Sequence, residues 1–153
     1  MPDIEYAFLA DSADARPGQK FHVLGGGVSR LSGRAFPLVH PHLALVVGLS
    51  VTSIEIDRPH EVQFILIAPD GSELSSANGQ IVATGTGDGR DTVITFAIDL
   101  WNLTFPLDGD YWCRISVDGT ERKRLPLIVS AAPAEQGPRA LPTAPGGPRA
   151  LDA

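Results

Sequence analysis

Five glycine-containing turn dipeptides punctuate residues 70–119 of this chain: Asp70-Gly71, Asn78-Gly79, Asp88-Gly89, Asp108-Gly109 and Asp118-Gly119. Each borders a short apolar stretch rich in Val, Ile and Phe, and glycine supplies the positive φ that tight turns between antiparallel strands require. Little helical periodicity lies between them. The pattern predicts an all-β fold, an antiparallel β-sandwich of roughly eight strands. Strands are expected near 4–10, 20–25, 42–51, 60–68, 80–84, 91–99, 110–117 and 121–129. The longest apolar stretch, Leu43 to Leu49, is far too short to span a bilayer and suits a buried strand.

With 153 residues the chain suits one domain that can bury a core without disulfides or a structural metal. From Ala132 onward the composition turns to Pro, Gly and Ala and ends in Gly137-Pro138-Arg139-Ala140-Leu141 and again Gly147-Pro148-Arg149-Ala150-Leu151. Such a stretch buries too little apolar surface to offset its ordering entropy, so a sandwich over 1–130 and a flexible tail over 131–153 are expected. The repeat has the form of a tandem docking motif, or of drift in a low-complexity tail. A net charge of -6 argues against nucleic acid and anionic membranes, because the long-range field repels phosphate. A single cysteine, Cys113, allows no intrachain disulfide, and the acidic start of the chain lacks the form of a signal peptide; both suit a cytoplasmic setting.

The last two strands permit a sharper inference. Odd positions of Tyr111–Val117 are apolar, as are Leu125, Leu127 and Val129, so odd residues must face odd partners if both strands cover one core. A two-residue loop at Asp118-Gly119 pairs odd with even, so an odd-length loop with Ser116 opposite Thr120 is expected. That register sets Trp112 opposite Arg124 on an outer face shared with Arg114 and Arg122. Indole and guanidinium attract one another, and Trp and Arg are enriched at binding hot spots. The face is therefore the first candidate for partner binding, against the plainer reading that the indole shields the sheet beneath it. The apolar group Leu100 to Pro106 supplies two further candidates, Trp101 and Phe105, unless its side chains plug one end of the sandwich.

Chemical motifs are sparse. His40-Pro41-His42 places both rings on one side of an extended segment, but two ligands do not make a zinc site, and no metal or cofactor is expected. Aspartates in the Asp-Gly turns invite calcium, yet Asp is favoured there because its carboxylate bonds nearby backbone. Gly25-Gly26-Gly27 lacks the Gly-Lys-Ser/Thr ending of a phosphate-binding loop and suits a strand end or bulge. Cys113 falls on the predicted inner face, where a thiol packs rather than reacts. No nucleophile elbow is present, and catalysis is not expected.

Leu107-Asp108-Gly109-Asp110-Tyr111-Trp112-Cys113 resembles the tyrosine corner of immunoglobulin-like domains, although no second cysteine exists and Leu107 stands where an acidic residue is usual. A longer likeness spans roughly residues 5 to 130. Phe8-Leu9-Ala10-Asp11, Lys20-Phe21-His22-Val23-Leu24-Gly25-Gly26, Phe36-Pro37, Leu43-Ala44-Leu45-Val46, Leu103-Thr104-Phe105-Pro106 and Gly109-Asp110-Tyr111 resemble a family of small bacterial proteins of unknown function. That resemblance implies a compact β-sandwich in a cytoplasmic protein and transfers no site residues. The functional expectation is a non-catalytic interaction module that binds a protein partner or itself. The alternative is a small-ligand or carbohydrate-binding domain with Trp112 or Trp101 as stacking platform, and an enzyme comes third.

Overall fold

The computed structural model describes residues 2–16, 18–85 and 87–132, so the Gly-Pro-Arg-Ala-Leu repeats lie outside the described residues. The described residues form nine strands: β1 (Asp3–Asp14), β2 (His22–Gly26), β3 (Arg30–Gly33), β4 (Leu38–Val51), β5 (Pro59–Ile67), β6 (Glu73–Val82), β7 (Thr92–Phe105), β8 (Gly109–Val117) and β9 (Thr120–Ala131). They make two sheets, one in the order β2-β1-β4-β7 and one in the order β3-β9-β8-β5-β6. The sandwich is as expected, with one more strand: the short β3 escaped the pattern. It pairs parallel to β9, while every other ladder is antiparallel.

Four of the five dipeptides turn the chain, with positive φ at Gly71, Gly89, Gly109 and Gly119. Asn78-Gly79 does not. It lies inside β6, where Asn78 faces Gln63 and Gly79 faces Val62. The hairpin to β5 is already closed by Asp70-Gly71, and an edge strand tolerates Asn and Gly that a central strand would not.

The β8–β9 hairpin corrects the expected register. Asp118 and Gly119 both have positive φ, 49° and 82°, which makes a tight two-residue turn with Val117 facing Thr120. The parity mismatch is removed one step later. Ser116 faces Glu121 but Ile115 faces Lys123, so Arg122 is the extra residue of a bulge. Cys113 then faces Leu125 and Tyr111 faces Leu127, odd on odd as the core demands. Trp112 consequently lies opposite Pro126, not Arg124, and Arg124 lies opposite Arg114.

Inner faces of both sheets build one core, with Leu43, Leu45, Val47 and Leu49 of β4 against Phe64, Leu66, Cys113 and Ile115. Strand β4 is buried on its other face as well. Ala44 and Val46 have no exposed surface, yet they face Ala10 and Phe8 of β1 outside that core. The β1–β2 hairpin covers them: the Tyr6 ring stacks on Phe8 and on Phe21, at 6.5 and 6.2 Å between centroids. This second layer is why Leu43 to Leu49 is apolar without alternation.

Strands β4 and β7 run further than expected, through His40-Pro41-His42 and Leu100 to Phe105. His42 faces Trp101 and His40 faces Leu103, leaving Pro41 against Asn102, whose φ is 52°. A proline has no N–H for the ladder, and the left-handed asparagine inverts the alternation there. Leu100, Leu103 and Phe105 all turn inward, whereas Trp101 stays out. The same inversion puts His40 and His42 on opposite faces, contrary to the expectation of a shared side.

Candidate functional site

The predicted partner-binding residues do not come together. Phe105 has no exposed surface and packs edge-on against Tyr111 at 5.0 Å, so it is a core residue, not a docking one. Trp101 is 66% exposed, but on the four-stranded sheet, where its indole lies 4.2 Å from the His42 ring. Trp112, Arg114 and Arg124 share the outer face of the five-stranded sheet. Arg122 is the bulged residue, two positions before Arg124 in β9.

On that face Trp112 neighbours Ile67 of β5 and Arg114 neighbours Ile65, two isoleucines that are buried although they point away from the core. The indole and the guanidinium stem cover them, and Trp112 still leaves 39% of its surface exposed beside the exposed Pro126. Arg114 donates to Glu73 at 3.0 Å, and Arg124 pairs with Glu121. The paired carboxylates let two arginines stand opposite each other across the ladder without net repulsion. Glu121 is held below the usual carboxylate range, first by its hydrogen bond from Arg124.

The remaining chemical candidates serve the fold. Asp70 accepts from the Ser72 amide at 3.0 Å and Asp88 from the Arg90 amide at 3.0 Å, both as turn residues rather than cation ligands. His42 is engaged with Asp99 at 2.8 Å. Cys113 has no exposed surface, and burial pushes its thiol up to about 12, far from a nucleophile. The tyrosine-corner contact forms: the Tyr111 hydroxyl donates to the Leu107 carbonyl at 2.6 Å.

One network went unseen in the sequence. His60 Nδ1 meets Asp118 Oδ2 at 2.9 Å, and its Nε2 meets the Glu55 carbonyl at 2.9 Å. Asp118 Oδ1 also accepts from the Glu61 amide at 2.9 Å. The β8–β9 turn is thereby tied to the start of β5 across 58 positions of sequence, a distance over which no local pattern reports. Burial disfavours the imidazolium, but the Glu55 carbonyl and the Asp118 carboxylate outweigh it and raise His60 above its ordinary value. Burial likewise disfavours the Asp118 carboxylate, and the bonds from His60 and the Glu61 amide more than compensate, lowering it.

The raised histidine stabilises the fold most below its unfolded pKa of about 6.5, and that contribution is lost as pH rises through the folded value. The lowered aspartate contributes above about 3.9 and loses its contribution as pH falls. Asp118→Asn, which suits the left-handed backbone and keeps an acceptor for Glu61, is expected to cost about 1 to 2 kcal/mol between these limits. By pH 9 the cost should shrink. Urea melts of both proteins at pH 5.5 and pH 9 decide it, and an equal cost at both values would show that the charge on His60 contributes nothing.

These features define a two-sheet β-sandwich domain whose five-stranded sheet carries Trp112 and paired arginines on its outer face. The chain belongs to DUF6941, a family of unknown function, whose model matches residues 5–130. The resemblance drawn above to such a family over that span holds. No curated protein matches the chain.

Among solved structures the chain is similar to the Pseudomonas fluorescens alkylpurine DNA glycosylase AlkC bound to DNA containing an abasic site analog. That likeness has a TM-score of 0.46 and 10% identity, and covers 85% of this chain but 30% of the glycosylase. The C-terminal domain of wzt is similar at TM-score 0.46 and 12% identity, over 89% of this chain and 77% of that one. The CARDB domain of a Pyrococcus furiosus protein in complex with di-metal ions follows at TM-score 0.38 and 12% identity, over 84% of this chain and 97% of that one. Among the described residues, no helix is long and apolar enough to cross a membrane.

Proposed function

We propose that the domain is a non-catalytic interaction module, acting in the cytoplasm, that docks a protein partner on the outer face of β8 and β9 around Trp112. The observation that carries this is the pairing on that face: a 39% exposed Trp112 beside exposed Pro126, with Arg114 facing Arg124 two positions along the ladder. Trp and Arg dominate interface hot spots because they combine large apolar area with directed hydrogen bonds. The chain as a whole carries a net charge of -6, and this face holds Arg114 and Arg124, each paired with a glutamate. Their present partners, Glu73 and Glu121, sit in exposed pairs that are weak in water and exchange readily for carboxylates of another protein. The partner therefore presents an apolar pocket for the indole with an acidic rim.

Affinity purification of the full chain from cells that express it tests the reading. Trp112→Glu should abolish recovery of the partner while Trp101→Ala, on the opposite sheet, leaves it intact. Recovery that survives Trp112→Glu and Arg124→Glu together sinks the proposed face. If recovery is instead lost in a chain ending at Ala132, docking belongs to the Gly-Pro-Arg-Ala-Leu repeats.

A further inference from the structure

The loop of the β1–β2 hairpin crosses the outer face of the four-stranded sheet and reaches the start of β7. Where it meets that edge strand and the end of β6 it leaves a cleft of about 570 Å³, within the range of small-ligand sites. One wall is apolar: Phe21, Val82 and Val93 line it and are 37%, 50% and 48% exposed. Thr84 and Thr92 add hydroxyls, Gln19 an amide, and Lys20 an ammonium. No Asp or Glu is among the described lining residues, and no carboxylate of the described residues pairs with Lys20.

The wall is fixed before any ligand arrives. Phe21 rests on the Tyr6 ring, and the Tyr6 hydroxyl is hydrogen-bonded to the Thr95 hydroxyl at the floor of the cleft. A site whose apolar surface is already held in place loses little entropy on binding. Its charge matters as much as its shape. In a chain of net charge -6 the described residues of the cleft carry one unpaired cation and no anion, which favours a negative headgroup over a positive one.

We propose that this cleft binds a small amphipathic anion, an aromatic or branched apolar body carrying one carboxylate, sulfonate or phosphate. Phe21, Val82 and Val93 take the body, Lys20 takes the charge, and Thr84 and Thr92 bond the remaining headgroup oxygens. The site is remote from Trp112 and does not depend on the docking face proposed above.

Two probes with one body separate the contributions: 8-anilinonaphthalene-1-sulfonate, and N-phenyl-1-naphthylamine, which lacks the sulfonate. Both are titrated by fluorescence on the full chain at low salt, with amide chemical shifts locating the site. The sulfonate should bind about fivefold tighter than the amine, and Lys20→Gln should erase that preference without weakening the amine. Val93→Asp, at an exposed edge position, should weaken both about tenfold or more. Unchanged melting of the two variants secures their fold. A sulfonate preference that survives Lys20→Gln overturns the proposal. So do binding indifferent to Val93→Asp, and shifts outside residues 18–21 and 82–95.

Discussion

Replacing Phe105 by alanine is expected to destabilise the fold by about 3 to 5 kcal/mol, while Trp101→Ala, four positions earlier in the same strand, costs under about 1 kcal/mol. The phenyl ring of Phe105 has no exposed surface and lies edge-on against Tyr111, whose hydroxyl closes the corner at Leu107. Truncation removes a large apolar area and leaves a void that the sheet cannot close, because Phe105 faces Leu38 in a ladder continuous with the core. Trp101 is two-thirds exposed, and its loss forfeits little beyond the stack on His42. Equilibrium urea unfolding of the two variants measures the contrast. Equal costs would mean that the alternation does not invert at Asn102.

That contrast marks where the sequence is legible and where it is not. Asp-Gly dipeptides and period-two alternation are local, and they set the sandwich, most of its strands and the inner face of Cys113. The parity of Leu125, Leu127 and Val129 even required an extra residue in the last hairpin. It did not say where: a bulge at Arg122 satisfies the core as well as a longer loop, and the choice moved Trp112 from Arg124 to Pro126. Trp101 and Phe105 looked alike because one left-handed residue between them, Asn102, reverses which face each takes. His60 and Asp118 are partners only through the fold. The cleft was illegible for the same reason, since the hairpin, β6 and β7 meet there from three parts of the chain.

The β1–β2 hairpin also makes Gly48 a position where a side chain should be costly. Gly48 lies in the middle of β4, facing Tyr6 on one side and Thr95 on the other, with no left-handed backbone to explain a glycine. Space explains it: a Cβ there would lie against Cζ of the Tyr6 ring, far closer than van der Waals contact allows. Gly48→Val therefore forces the ring away, breaking its bond to Thr95 and its stack on Phe21 and opening the aromatic layer on that face of β4. A cost of about 3 kcal/mol is expected from overpacking and the loss of cover combined. Tyr6→Ala alone should be costly too, through the cavity it leaves. The double variant Tyr6→Ala with Gly48→Val should be less destabilised than the sum of the two by at least about 1 kcal/mol, because the valine fills part of the space the ring vacates. Additive costs in urea unfolding would show that Gly48 is not a glycine for the sake of Tyr6, and with that the account of the covering hairpin as a packed second layer would fall.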